Sequence, residues 1–301
     1  MINALVLSKD RASQLRLLLE SIQRNAKGFF NKIEVLYTGS TPLHDAGYKK
    51  LQEENIVDNI VWKKEKSFID DFLDCLENCD SEYLCGLVDD CVFYKKLPSD
   101  SHQIERVLSS DDDVFCFSLR LGMNTYIQNY LPIEGEDGEP FIQQHRLEDY
   151  DSNLYCIKWN WKEWDSKLNY GYPISLDGHI FRSEEIARLS KKYKFDYLRQ
   201  WEGVLAGNSR EDTHRTHMVA YRQSVLFSIP TNCVQDPPLL SGVIHPISQE
   251  KLNNKYLNNE VINIDAIECS FQNVTWCHNE IPLFFKQVNN NGHFLNDYRT
   301  E

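Results

Sequence analysis

The segment Leu87-Val88-Asp89-Asp90-Cys91-Val92-Phe93 places two adjacent carboxylates where a near-continuous apolar run ends. Two such charges repel. In open α/β sheets ligands bind outside the carboxyl ends of strands, and a divalent cation there would offset the repulsion while bridging to diphosphate oxygens. A turn with a capping Asp accounts for the same residues with no chemistry at all. A second acidic run, Asp111-Asp112-Asp113, follows Ser109-Ser110 and reads as a solvated turn between a helix and a strand. Tyr155, Trp159, Trp161, Trp164, Tyr170 and Tyr172 crowd into a short span. Their faces would suit the C–H side of a sugar ring, or they fill the core of an irregular segment. His214, His217, His245 and His278 all come late. Neutral imidazole is a competent ligand, but a lone histidine is more often a hydrogen-bonded structural residue. Arg215 and Arg222 are candidate partners for a diphosphate, and Asn232 and Gln235, just past an expected strand, are candidates to line the site. Cys75, Cys79, Cys85 and Cys91 lack the close paired knuckles of a structural zinc site. Cys75 and Cys79, one helical turn apart, read as small buried hydrophobes.

The elements that must carry these residues follow from periodicity. Residues 2–7 form an apolar strand, a polar loop follows, and Leu15, Leu18, Leu19 and Ile22 then recur at helical spacing. The pattern repeats with a strand at 33–37, a Gly-Ser-Thr-Pro turn and a helix at about 44–54. A third strand is expected at 57–62, a helix around Ile69, Phe72, Leu73 and Leu76, and a doubly covered strand at 83–88. A helix near 102–108 and a strand at 114–119 complete an alternation that implies an α/β sheet. Residues 122–151 are irregular, include acidic Gly135-Glu136-Asp137-Gly138-Glu139, and read as a lid loop. Regular structure resumes near Ile180, with Ser183 expected to cap a helix. Beyond about residue 249 the sequence suggests one helix, an Asn-rich stretch and a last apolar segment at 281–285.

The whole chain has 301 residues, 42% hydrophobic and 26% charged, with 13 Gly and 10 Pro, so collagen-like and wholly disordered classes are excluded. With 32 Lys and Arg against 45 Asp and Glu, the formal charge is -13. No net positive field would draw a nucleic-acid backbone, so any phosphate ligand needs local help and suits a small nucleotide better than a polymer. Nine cysteines, an odd number scattered through apolar stretches, and an N-terminus that turns charged early point to free thiols in a reducing cytoplasm. No apolar run reaches the roughly 18 residues of a membrane helix, so membrane contact would be peripheral.

Several of these segments resemble the family 2 glycosyltransferases. Leu7-Ser8-Lys9-Asp10-Arg11 with Leu15, Leu19 and Ser21-Ile22 is similar to their opening strand, polar loop and Leu-spaced helix. Val35-Leu36-Tyr37-Thr38-Gly39-Ser40-Thr41 resembles their second strand and turn, and Asp89-Asp90 falls where they carry an Asp-x-Asp metal and nucleotide motif. Asp177-Gly178-His179-Ile180-Phe181-Arg182, then Phe195-Asp196 and Trp201-Glu202-Gly203, resembles the acceptor half. The likeness covers about residues 1–207. There are departures: Tyr37 and Thr38 stand where the family often has a base-binding Asp, Cys91 is third in the acidic motif, and Gly203 replaces the usual catalytic Asp.

The resemblance implies a GT-A (Rossmann-like nucleotide-diphospho-sugar transferase) fold, a mixed sheet flanked by helices with a C-terminal extension. Its expected parts are a domain at 1–245, made of a donor half (1–119) and an acceptor half with the lid (120–245), and a helical extension at 246–301. It implies inverting, metal-dependent sugar transfer from a nucleoside-diphosphate sugar to a carbohydrate or glycolipid hydroxyl, in polysaccharide or glycolipid synthesis. The donor set would be Ser8, Lys9, Asp10, Arg11, Tyr37, Lys66, Asp89 and Asp90, with Mn²⁺ or Mg²⁺ on Asp89 and Asp90. Glu202 or Asp177 would be the base, and Trp159, Trp161, Trp164, Tyr172 and Trp201 would receive the acceptor. Burial beside Trp201 would raise the Glu202 pKa toward working pH. A late histidine in the metal shell is a further feature of this architecture. Two rivals remain: a non-catalytic nucleotide- or carbohydrate-binding protein, which Gly203 and Cys91 favour, and a sugar nucleotidyltransferase, which the absence of a Gly-rich first loop disfavours.

Overall fold

The computed structural model describes residues 1–125, 147–151, 155–166, 168–234, 241–271 and 274–288. The expected lid segment therefore lies mostly outside the described residues, as do Gln235 and the Asn-rich stretch. The chain opens with β1 (Ile2–Lys9), α1 (Ala12–Asn25), β2 (Ile33–Thr38), α2 (Pro42–Glu54), β3 (Ile60–Lys64), α3 (Phe68–Glu77) and β4 (Tyr83–Val88). It continues through β5 (Cys91–Phe93), α4 (Ser101–Ser110), β6 (Val114–Ser118), β7 (Glu148–Asp151), β8 (Cys156–Asn160), β9 (His179–Arg182) and α5 (Ser183–Lys192). Then come α6 (Leu198–Asp212), β10 (His217–Tyr221), β11 (Leu226–Ser228), α7 (Gln249–Leu257), β12 (Glu260–Ile262), α8 (Ile264–Ser270) and β13 (Phe285–Gln287).

The apolar runs of β1 and β4 are buried because helices cover both faces of the sheet they enter. Nine strands line up in the order β3-β2-β1-β4-β9-β6-β10-β8-β7. Strands β1 to β4 are mutually parallel, and β9 runs antiparallel between β4 and β6. Strand β10 is parallel to β6, and β8 antiparallel to β10. This mixed sheet, flanked by helices and followed by a C-terminal extension, is the architecture the sequence led us to expect. Because β9 inserts between β4 and β6, the early and late parts of the chain share one sheet.

Local signals explain the helix starts. Thr41 caps α2 by accepting from the His44 N–H, with Pro42 in the first turn, and Asp100 caps α4 by accepting from the Gln103 N–H. Two expectations need correction. Strand β3 begins at Ile60, three residues after the apolar Val57, because Asn59 takes a left-handed φ of 57° and only then does the chain align with β2. Ser183 is the first helical residue of α5, not its cap: β9 runs directly into the helix, and the Ser183 N–H is spent on the Glu82 carbonyl at 2.9 Å.

Two glycines shape the centre. A Cβ on Gly86, within β4, would stand 2.3 Å from Leu176 Cδ2 and 2.9 Å from Leu176 Cα, so only glycine lets the 175–178 segment cross the sheet. Gly178, at φ +86°, turns that segment into β9, with its N–H on the Gly86 carbonyl at 2.8 Å. Asp177 is thereby held close to the end of β4. The C-terminal segment packs back on the first helices: Tyr256 donates to Glu54 at 2.7 Å, and Asn253 to the Leu43 carbonyl at 2.8 Å. Further on, the Cys277 carbonyl and Asn279 N–H bracket Ser228 of β11 in a parallel bridge, which delivers His278 to the same end of the sheet.

Candidate active site

A cleft lies beyond the carboxyl ends of β1 and β4. It holds a cavity of about 290 Å³, between Leu7, Leu36 and Phe68, and a second of about 200 Å³, between Asp90, Asp177, Glu202 and His278. Arg11 and Val88 line both. The boundary is built by Arg11, which follows β1. Its Nη1 donates to Asp89 Oδ1 at 3.0 Å and Asp90 Oδ2 at 3.2 Å, while its Nε donates to Asn232 Oδ1 at 2.7 Å and its Nη2 to the Asn232 carbonyl. Asp89 is nearly sealed from solvent, and its other oxygen accepts from Ser8 Oγ at 2.9 Å and the Lys9 N–H at 3.3 Å. Burial pushes the Asp89 carboxyl upward against Arg11 and these donors, which favour its ionised form.

Asp90 differs. Its Oδ2 meets Arg11, but its other oxygen has no hydrogen bond among the described residues, and it faces the second cavity. Burial, with Asp89 and Asp177 nearby, raises it to about 6 despite Arg11. Asp177 is the opposite case: against the burial that would raise it, His278 and Arg120 hold it down at about 2. Arg120 Nη1 donates to Asp177 Oδ2 at 2.7 Å, and His278 Nε2 lies 3.0 Å from the same oxygen. Against burial, the Cys277 sulfur and Asp177 lift His278 to about 10, so it adds a cation to this wall. Glu202, on α6, accepts only the Leu176 N–H, at 2.8 Å on Oε1. Its second oxygen is unpaired among the described residues. Burial, then the Asp177 charge, raises it to about 7.

The donor chemistry bears on a metal. Both oxygens of Asp89 already accept from protein donors, which leaves Asp90 as the carboxylate with an oxygen open to an ion, and Cys91 turns its sulfur into the core, 3.6 Å from Ser228 Oγ. Among the described residues no group of three or more His, Cys, Asp or Glu is arranged to hold an ion. The open oxygen of Asp90 fits the more modest arrangement in which one carboxylate, water and substrate phosphates share a hard cation.

The other expected residues separate clearly. Ser8, Lys9 and Arg11 line the first cavity. Asp10 does not: at φ 58° it turns its carboxylate to the Ser40 N–H (2.6 Å) and Ser40 Oγ (2.8 Å), so it braces the β1 and β2 loops. Tyr37 packs on Tyr48 and Trp62 and accepts from Gln52, and Lys66 is exposed with its N–H on Asp71; neither lines the cleft. The aromatic platform is corrected outright. Trp159, Trp161, Trp164 and Trp201 are buried in the core on one side of the sheet, with the Trp159 indole N–H on the Tyr170 carbonyl and that of Trp201 on Ser190. Only Tyr172 stays half-buried, with burial and then the Glu202 charge raising its pKa.

His214 pairs with Asp112 on the surface, His217 starts β10 and His245 gives its N–H to Glu280, so of the four late histidines only His278 reaches the cleft. Arg215 is spent on Glu185 and Asp112, and Arg222 on Asp149. Asp111 accepts from Lys158 at 2.7 Å, as a structural turn residue would. Reading the sequence missed Arg120 and Glu65. A lone cation in Leu119-Arg120-Leu121, just past an apolar strand, was the available signal for the first.

No protein-family model matches the chain. Its sequence is similar to the bifunctional glycosyltransferase pgtA of Dictyostelium discoideum, at 24% identity over 193 residues, or 62% of this chain. The chain spans 24% of the length of that curated relative. Among solved structures, S. aureus TarS 1–349 overlaps 76% of this chain and 61% of its own, with 10% identity and a TM-score of 0.43. The mannosyltransferase PcManGT of Pyrobaculum calidifontis, in complex with GDP-Man and Mn²⁺, overlaps 62% of this chain and 46% of its own, with 15% identity and a TM-score of 0.38. The named relative is a glycosyltransferase, the class whose motifs the β1 loop and the Asp89-Asp90 turn resemble.

Proposed function

We propose that this chain transfers a sugar from a nucleoside-diphosphate sugar to a carbohydrate or glycolipid hydroxyl, with Glu202 as the general base. One observation carries the reading: in a single cavity, a carboxylate raised to about 7 with a free oxygen stands beside an acid, Asp177, held at about 2. A base works best when its pKa lies near working pH, so Glu202 takes the proton of the attacking hydroxyl. Asp177 is too strongly stabilised as an anion for that task and instead anchors Arg120 and His278. These two cations, with Arg11, lower the cost of the negative charge that a departing diphosphate develops. We place the nucleoside in the 290 Å³ cavity and the reacting centre in the 200 Å³ one.

Asp90 would hold Mg²⁺ or Mn²⁺ through its open oxygen, and a bound ion would supply charge for the leaving diphosphate. We assign an inverting course because the base and the diphosphate site stand on separate walls, Glu202 on α6 and Asp90 after β4. Tyr172 is the remaining aromatic candidate for the acceptor. None of the nine cysteines, all of them among the described residues, is in a disulfide, in keeping with a reducing compartment such as the cytoplasm, and among the described residues no helix is long and apolar enough to cross a membrane.

A thermal-shift screen of nucleoside diphosphates with and without Mn²⁺ tests the donor site, since a ligand of the native state raises apparent stability by mass action. The expected result is a shift that needs the metal and is lost in Asp90→Asn. No shift with any nucleoside diphosphate, with either ion, would contradict the reading.

A further inference from the structure

The first cavity is lined by two acids that the transfer chemistry does not use, exposed Asp196 and half-buried Glu65, and only Glu65 is partly withdrawn from water. Glu65 follows β3, and its N–H extends the strand pairing by donating to the Tyr37 carbonyl at 2.8 Å, so its side chain is delivered to the wall of the cavity. It is half-buried, and among the described residues its carboxylate makes no hydrogen bond and no ion pair. Burial raises its pKa, and Lys9 opposes the rise. Lys9 lines the same cavity, and its ammonium is likewise unpaired among the described residues. Leu7, Leu36, Phe68 and Val88 give the same cavity apolar lining, alongside Arg11 and Asp89. A half-buried acceptor without a protein partner and an exposed ammonium, in a cavity with apolar lining, suit a planar ligand with a polar edge.

Resting on the donor reading above, we propose that Glu65 and Lys9 recognise a guanine base, which makes the donor a guanosine-diphosphate sugar. An ionised carboxylate is an acceptor only, with two oxygens, and an ammonium is a donor only. Guanine presents an acceptor, O6, followed by two adjacent donors, N1–H and N2–H, so one edge satisfies Lys9 and both oxygens of Glu65 together. Uracil presents a single N–H between two carbonyls and would set one carbonyl oxygen against the carboxylate. Cytosine and adenine each place a ring-nitrogen lone pair beside their amino group, which again leaves one Glu65 oxygen facing an acceptor. A site built around hydrogen-bonding groups rejects a ligand that leaves them unpaired.

Calorimetric titration of the full chain with GDP, UDP, CDP and ADP, all with the same divalent ion, tests this. We expect GDP to bind about 10- to 100-fold more tightly than the others, the worth of one good bidentate contact. In Glu65→Gln, which places an amide donor against guanine donors, GDP affinity should fall at least about tenfold while UDP affinity moves by less than about threefold. Circular dichroism checks that the variant is folded; if it is not, the four wild-type affinities decide alone. Tighter binding of UDP, CDP or ADP than of GDP would overturn the guanine assignment and leave the transferase reading standing. An unchanged GDP affinity in folded Glu65→Gln would overturn the role of Glu65. Absence of measurable binding by all four would overturn both readings.

Discussion

Two acidic pairs face the cleft, and each is divided in the same way. Asp89 and Asp177 are surrounded by donors, Ser8, Lys9 and Arg11 for the one and Arg120 and His278 for the other. Their partners, Asp90 and Glu202, each keep one oxygen unpaired among the described residues and are raised by burial to about 6 and about 7. The lesson is that a carboxylate's role follows from the donors around it more than from its place in a motif. A saturated acid organises its neighbours, whereas an unsaturated one beside it is left to meet a ligand, an ion or a proton.

The comparison is most sharply broken by removing the donor from the saturated pair. Arg11→Met strands Asp89, which is buried, and should cost about 3–5 kcal/mol of stability, as loss of one partner of a buried ion pair does. Urea unfolding measures it; a loss under about 1 kcal/mol would mean that Asp89 is not held as an anion by Arg11.

A smaller effect of opposite sign is expected at the unsaturated acid. Glu202 is raised from an ordinary value near 4.5 to about 7. Between these values the unfolded chain has ionised this group while the native state still holds its proton, so the native state loses relative stability as pH rises through that window. Glu202→Gln removes the penalty and keeps an acceptor for the Leu176 N–H. The variant should be more stable than the wild type by about 1–2 kcal/mol above pH 7, a figure discounted for partial exposure. The gain should vanish below pH 4. A gain that is the same at both ends of the range would break the assigned asymmetry.

How far the sequence led to this site depends on chain distance. The β1 loop, α1, β2 and β4 were legible because each is a local pattern, an apolar run or a 3.6-residue stripe, and so Ser8, Arg11 and the Asp89-Asp90 turn could be singled out as residues that line the cleft. Which member of an acidic pair is spent was not legible, since the deciding donors come from far away: His278 stands 101 residues from Asp177, and Asn232 stands 221 from Arg11. The Trp cluster misled for a related reason. Aromatic spacing around Trp159 and Trp161 suits a sugar platform and a core equally, and the pairing of β8 with β10 at the sheet's antiparallel end decides for the core. Lys66 and Tyr37 lie near the cleft in sequence, but the turn after β3 points Glu65 into it instead.

The most direct test of the central claim, that Glu202 is the group left free to take a proton, is the pH dependence of kcat/KM for sugar transfer in the wild type, Glu202→Gln and Asp177→Asn. The account predicts a wild-type rate that rises with pH through about 7 as Glu202 ionises. It predicts that Glu202→Gln abolishes this limb and lowers the plateau by about 10²- to 10⁴-fold while nucleotide binding persists. A limb near pH 7 that survives in Glu202→Gln and disappears in Asp177→Asn would contradict it.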